Sequence, residues 1–440
     1  MTWTSFPVNR LQGAVRAPGD KSCSHRALMF AGIAEGTSDI SGLLEGEDVI
    51  NTAKAMAALG ANVQQKGNGR WTIEGVGKAG LKSPEAPLDF GNSGTGSRLM
   101  MGLMSGYPIE AQLIGDKSLS GRPMNRVIKP LEKMGARFDH DGRGMLPLTL
   151  HGSGELTPID FIPEQASAQV KSCVLLAGLN AEGTTRVTEH HPSRDHTEKM
   201  LRGFGVTLET ISADGRRQII SIDGGQTLQA VDTQIPGDPS SAAFLVAAGL
   251  ISPAGGVIVE GVMSNETRDG FFRAASMMGA DIGAEELGDA AGERLIDMQA
   301  VSSPLKGRAI PEYLVASMID EFPILAVIAA FAEGETVVSG AHELRVKESD
   351  RIAAVVAMLR VNGVEVEEHE DGFTVQGCGG PPPGGGHVVT HHDHRIAMSA
   401  LVMGTAAQKP VSIDDAAMIA TSYPDFMAHM KTLGADIRQS

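Results

Sequence analysis

Two short segments carry the residue types that proton transfer needs: Asp320-Glu321, ahead of an apolar helical run, and Lys347-Glu348-Ser349-Asp350-Arg351. A carboxylate exchanges protons well when it is positioned and desolvated, and a neighbouring cation steadies the charge that develops. Either segment alone also fits a helix cap or a solvated face. The arginines point further. Arg122, Arg194, Arg268 and Arg351 stand 13, 11, 11 and 12 residues ahead of Gly135, Gly205, Gly279 and Gly363, which predicts an arginine in the first turn of four equivalent helices. Arginine there opposes the helix dipole. A local rule broken repeatedly suggests function, and guanidinium groups beside free helix N–H groups make anion sites.

Two further helix starts are similarly loaded. The run GDKSCSHR at 19–26 combines Lys21 and Arg26 with hydroxyls, and GNSGTGSR at 91–98 is a glycine-rich loop opening an apolar helix. The loop suits a phosphate or carboxylate. No GxxxxGK[ST] exists and the glycine spacing is not GxGxxG, so nucleotide binding is unsupported. The run HHDHR at 391–395 sends its ligands in divergent directions with no second cluster to complete a shell, so no metal site is expected. Cys23, Cys173 and Cys378 form no CxxC pair, which fits a reducing compartment.

Something must bring these segments together, and an internal repeat supplies it. A helical stretch followed by Gly-Ala/Val-x-apolar recurs six times, at Gly60, Gly135, Gly205, Gly279, Gly363 and Gly434. Each copy reads as a helix closed by a C′ glycine and followed by a strand. In the second copy Pro123 falls in the first turn, and Met124, Val127, Ile128, Leu131 and Met134 make one apolar face. A second helical stretch per repeat, at 27–35, 172–182 and 323–333 in three of them, ends in a small-residue turn. The unit is strand, helix, strand, helix, strands. Six such units predict an α/β repeat architecture.

A higher order is visible too. Ala17-Pro18-Gly19-Asp20-Lys21-Ser22 is echoed by Ile235-Pro236-Gly237-Asp238-Pro239-Ser240, and three repeats follow each. This predicts two domains, residues 20–236 and residues 237–440 with 1–19, the N-terminal strand pairing with the second half. The length of 440 residues suits two or three domains. A balance of 37 basic and 53 acidic residues, net −16, argues against nucleic acid and membrane surfaces as partners. The N-terminal residues lack a signal peptide's apolar core and no apolar run spans a bilayer, so a soluble cytoplasmic protein is expected.

Together these segments resemble the 5-enolpyruvylshikimate-3-phosphate synthase family. The resemblance rests on Lys21-Ser22 with Arg26, the 91–98 loop, Gly115-Asp116-Lys117-Ser118-Leu119 with Arg122-Pro123, and Ser167-Ala168-Gln169-Val170-Lys171-Ser172. It continues through Arg194-Asp195-His196-Thr197-Glu198, Pro236-Gly237-Asp238, the 345–351 segment and Asp393-His394-Arg395-Ile396-Ala397-Met398. It runs in order from about residue 9 to 437 and looks like the bacterial class II branch.

The resemblance implies an inside-out α/β barrel in two domains, built from six βαβαββ repeats, with the active site in the cleft between them. It implies transfer of the enolpyruvyl group of phosphoenolpyruvate to the 5-hydroxyl of shikimate 3-phosphate through a tetrahedral intermediate, with loss of phosphate. By position, Lys21, Ser22, Arg26, Ser167, Ala168, Gln169, Arg194, Asp320 and Lys347 would hold shikimate 3-phosphate. Lys21, Gly94, Arg122, Gln169, Arg351 and Arg395 would hold phosphoenolpyruvate. Asp320 resembles the base for the 5-hydroxyl and Glu348 the group that protonates the methylene carbon, with Lys21 and Lys347 at the reacting centre. No metal or organic cofactor is implied, and a monomer is the family expectation. By the same resemblance, Gly94 would leave the room that lets glyphosate compete with phosphoenolpyruvate. Thr421 stands where many relatives carry a lysine. The sibling transferase acting on UDP-N-acetylglucosamine is the nearest alternative, but the reactive loop cysteine typical of it is missing from 115–126. The register of these cations predicts a strongly basic site inside an acidic protein.

Overall fold

The computed structural model describes residues 2–213, 217–290 and 292–439; residues 1, 214–216, 291 and 440, including both ends of the expected second domain, lie outside it. The chain divides into two compact units. One comprises Met1–Pro18, Pro236–Asp289 and Glu293–Ser440, the other Gly19–Ile235 with Ala290–Gly292.

The Gly19–Ile235 unit holds three four-stranded sheets with one plan. In the first, Thr37–Ser41 lies between its parallel neighbour Thr233–Gln234 and antiparallel Arg70–Glu74, beyond which runs Asn62–Gly67. Glu110–Ile114 and Thr184–Glu189 take the same place in the other two. The companion unit repeats the plan. Gly255–Ser264 runs parallel to Leu11–Arg16, and Trp3–Phe6 lies antiparallel between Val411–Ile413 and Asp436–Gln439. Its third sheet has three regular strands, and single parallel bridges from Lys306 and Ala309 mark the fourth position.

Two kinds of helix alternate along the chain. Glu47–Ala58, Asn125–Met134, His196–Gly203, Gly270–Met277, Arg351–Val361 and Phe426–Thr432 are followed by the six repeat glycines, all with positive φ between 77° and 113°. Such φ is cheap only without a Cβ, so the repeated glycine is a stop signal. Met124, Val127, Ile128, Leu131 and Met134 are all buried. Pro123, however, precedes the helix, which begins at Asn125.

Apart from the single turn Lys117–Ser120, the other α-helices among the described residues are Lys21–Ile33, Gly94–Ser105, Ala168–Gly178, Pro239–Ile251, Phe322–Phe331 and His394–Gly404. They are buried on nearly every side; all thirteen residues of Pro239–Ile251 are buried. A helix apolar all round belongs inside, so these helices form the core and the sheets lie outside. The expected starts at 27 and 172 are too late by six and four residues against the observed Lys21 and Ala168. The polar first turns hid them, because those turns carry site residues instead of core residues. Among the described residues no single helix is long and apolar enough to cross a membrane.

Candidate active site

Every expected site segment lies at or beside the N-terminus of a helix. In the Gly19–Ile235 unit three buried helices begin at Lys21, Gly94 and Ala168. Asp20 caps the first by accepting from Cys23 N at 2.7 Å, and Ser93 caps the second by accepting from Gly96 N at 3.0 Å. Ser167 occupies the cap position of the third, yet its hydroxyl makes no capping bond. Side chains join the three starts. Gln169 accepts from Arg98 Nη1 at 2.7 Å and donates to Thr95 Oγ1 at 3.0 Å. His25 Nδ1 lies 2.8 Å from Thr52 Oγ1, and its Nε2 3.5 Å from Ser93 Oγ. Burial, reinforced by Lys21 and Arg26, pulls the His25 pKa well below its ordinary value, so the ring is neutral.

Lys21 is ion-paired with Asp48. Arg26 is buried and donates to Thr197 Oγ1 at 2.7 Å, Ser172 Oγ at 2.8 Å and the Ser22 carbonyl at 3.0 Å. Arg122 donates to Asn92 Oδ1 at 2.6 Å and Ser118 Oγ at 3.1 Å. Around Gly94 two guanidinium groups converge: a Cβ there would lie 3.1 Å from Arg98 Nη1 and 3.3 Å from Arg122 Nη1. A small residue flanked by two guanidinium groups at a helix N-terminus is a cradle for a carboxylate or phosphate.

The companion unit gathers the acids. Arg351, 1% exposed, donates from Nε to Asp393 Oδ2 at 2.8 Å, from Nη1 to Asp320 Oδ1 at 3.2 Å and from Nη2 to Glu348 Oε2 at 2.5 Å. Lys347 Nζ lies 3.8 Å from Asp320. Ser349 Oγ donates to Asp393 at 3.0 Å, and Arg395 Nη1 is 4.0 Å from Glu321. Burial works against the charge on both Arg351 and Asp393. Their mutual attraction wins, raising the pKa of the first and lowering that of the second. Glu321 occupies the cap position of Phe322–Phe331 without a side-chain capping bond.

Two expectations are corrected. Of the four arginines expected in first turns, only Arg351 lies in one; Arg194 and Arg268 sit one residue before their cap positions and Arg122 two before. Arg268 is also buried on Asp238 at 2.7 Å, the cap of Pro239–Ile251. Neither cluster is uniformly basic either. Asp48 offsets Lys21, while Asp320, Glu348 and Asp393 surround Arg351. The cause is desolvation, since a buried cation needs counter-ions. His391 and His392 stand exposed in left-handed backbone before Asp393, which caps His394–Gly404 through the Arg395 N–H.

Asp48, Arg98, His25 and Asp393 escaped assignment. Arg98 had a signal, closing the glycine-rich loop in helical register with Gly94, whereas Asp48 reads as an ordinary first-turn acid. Thr421 donates its hydroxyl to the Met418 carbonyl at 2.7 Å.

The chain has an enolpyruvyl transferase fold. EPSP synthase structures from Acinetobacter baumannii match with a TM-score of 0.88 at 42% and 41% identity, each over 100% of both chains. The family model for EPSP synthase (3-phosphoshikimate 1-carboxyvinyltransferase) matches residues 6–430. Relatives named 3-phosphoshikimate 1-carboxyvinyltransferase are 67% identical in Hyphomonas neptunium, over 100% of both chains, and 54% identical in Parvibaculum lavamentivorans, over 98% of this chain and 96% of the relative. The chain belongs to the EPSP synthase family. It is a shikimate-pathway transferase that moves the enolpyruvyl group of phosphoenolpyruvate onto shikimate 3-phosphate, and the UDP-sugar alternative is not favoured.

Proposed function

We propose that the two half-sites serve one reaction, with substrates taken up between domains 20–236 and 1–19 plus 237–440. Lys21, Ser22, Arg26, Ser167, Ala168, Gln169, Arg194, Asp320 and Lys347 hold shikimate 3-phosphate. Lys21, Gly94, Arg122, Gln169, Arg351 and Arg395 hold phosphoenolpyruvate. The observation that carries the reading is the joint hold of Arg351 on Asp320 and Glu348, which keeps two candidate proton carriers at one place.

Asp320 takes the proton of the 5-hydroxyl as its oxygen bonds to C2 of phosphoenolpyruvate, and Glu348 in its acid form protonates C3. The tetrahedral adduct then collapses. Glu348 recovers a proton from the new methyl group, the C2–O bond to phosphate breaks, and the departing phosphate takes the proton held by Asp320. Lys347, beside Asp320, and Lys21 steady the charge that develops on oxygen. These steps use proton transfer and electrostatics alone and call for no cofactor. The protein acts as a cytoplasmic monomer.

Initial rates of phosphate release test this. Turnover is expected with shikimate 3-phosphate and phosphoenolpyruvate and none with UDP-N-acetylglucosamine; parent rates in Glu348→Gln would remove Glu348 from the mechanism. A sedimentation profile showing a dimer would overturn the monomer.

A further inference from the structure

Behind the residues proposed for shikimate 3-phosphate lies a buried ion cluster to which the mechanism gives no task. Lys171, on Ala168–Gly178 and fully buried, places Nζ 2.9 Å from Glu189 Oε2 and 2.8 Å from Glu198 Oε1, both buried as well. The same Nζ donates to the Ser193 carbonyl at 3.3 Å. Glu189, ending its strand, receives the Ser193 hydroxyl at 2.5 Å and the Ser193 N–H at 3.3 Å. Ser193 is therefore held at N–H, hydroxyl and carbonyl by one lysine–glutamate pair, and the next residue is Arg194. Next to Lys171 and Glu198 in sequence, Ser172 and Thr197 share a 2.7 Å hydrogen bond, and both accept from Arg26.

Burying one ammonium with two carboxylates is expensive, the more so as Glu198 Oε2 has no hydrogen-bond partner among the described residues. An apolar cluster would stabilise the packing as well or better, so the retained ions suggest a demand for position. Burial disfavours the charge on Lys171, but Glu198 and Glu189 outweigh it and raise its pKa. The cluster stays ionised and the turn stays clamped.

We infer that Lys171 is a positioning residue: acting through Glu189 and Ser193, it fixes the turn that presents Arg194 to the phosphate of shikimate 3-phosphate. The inference rests on the reading that Arg194 meets that phosphate. A displaced binding group weakens one substrate selectively, so the effect falls on KM for shikimate 3-phosphate. KM for phosphoenolpyruvate and kcat at saturation stay near the parent.

Steady-state kinetics on the full chain test it with four variants, each confirmed folded by its thermal transition. Arg194→Ala tests the underlying reading: an unchanged KM for shikimate 3-phosphate would remove Arg194 from the site. Lys171→Met is expected to raise that KM about tenfold or more, and Ser193→Ala to raise it less, in the same direction. Because Ser193 acts through Arg194, adding Ser193→Ala to Arg194→Ala should bring no further loss, whereas a role confined to general stability gives additive effects. Additivity, or parent KM values in Ser193→Ala, would overturn the inference even where Arg194→Ala behaves as expected. If Lys171→Met does not fold, the Ser193 and Arg194 cycle decides alone.

Discussion

The Arg351 guanidinium meets the Asp393 carboxylate at 2.8 Å with both side chains withdrawn from solvent, and the same Asp393 caps the helix that carries Arg395. One carboxylate thus holds the Arg351 guanidinium and the backbone of the helix start that carries Arg395. Asp320 and Glu348 are held in turn by the arginine so fixed.

Removing Asp393 takes one of three carboxylate partners from the buried Arg351. Asp393→Ala should cost about 3–5 kcal/mol of stability, while Asp393→Asn, which keeps a good cap, should cost less. Because the native pKa of Asp393 lies below its ordinary 3.8, its contribution is present above that value and lost as pH falls through the native one. Acid titration of stability should be shallower in Asp393→Asn than in the parent.

Gly94→Ala adds a methyl within 3.1 Å of Arg98 and 3.3 Å of Arg122. At a first helical position the alanine fits the backbone, so stability should hold or improve slightly. The guanidinium heads must give way. Inhibition assays should show a larger rise in the glyphosate inhibition constant than in KM for phosphoenolpyruvate; an unchanged inhibition constant would place glyphosate elsewhere.

Asp320→Asn keeps the shape and leaves Arg351 its bonds to Asp393 and Glu348. Phosphate release should fall by about 10²–10⁴, the usual worth of a general base, with the thermal transition little changed. A loss that appeared only together with unfolding would assign Asp320 to structure.

His25 is neutral in the fold, its pKa well below 6.5, whereas in the unfolded chain it charges near that value. The unfolded state then binds more protons, so the His25 contribution is complete above 6.5 and shrinks as pH falls below it, by up to about 1.4 kcal/mol per unit. Urea unfolding at pH 7 and pH 5 should show a smaller difference in His25→Gln than in the parent.

Much of the fold was legible because its signals are local. Gly60 through Gly434 each stop a helix in left-handed backbone, and a missing Cβ can be read from the residue name. The starts of the buried helices were harder, since Lys21, Ser22 and Gln169 look like loop residues until their helices are seen. Charge was the least legible. Lys21 and Arg351 announce anion binding in sequence, yet Asp48 and Asp393, their counter-ions, lie 27 and 42 residues away and follow no spacing rule. Asp320 and Glu348 lie in segments marked by residue type, family likeness supplied their separate roles, and their common partner Arg351 supplies the geometric reason to keep them together.

Synthesis runs from the N-terminus, so Trp3–Phe6 leaves the ribosome long before Val411–Ile413 and Asp436–Gln439, the strands that flank it. At 5–20 residues per second that wait lasts roughly tens of seconds, ample time for Gly19–Ile235 to be made and to collapse on its own helices. The nascent protein therefore carries one finished unit and a waiting strand with both edges unpaired. At four residues that strand is short enough to offer a poor template for association with other chains.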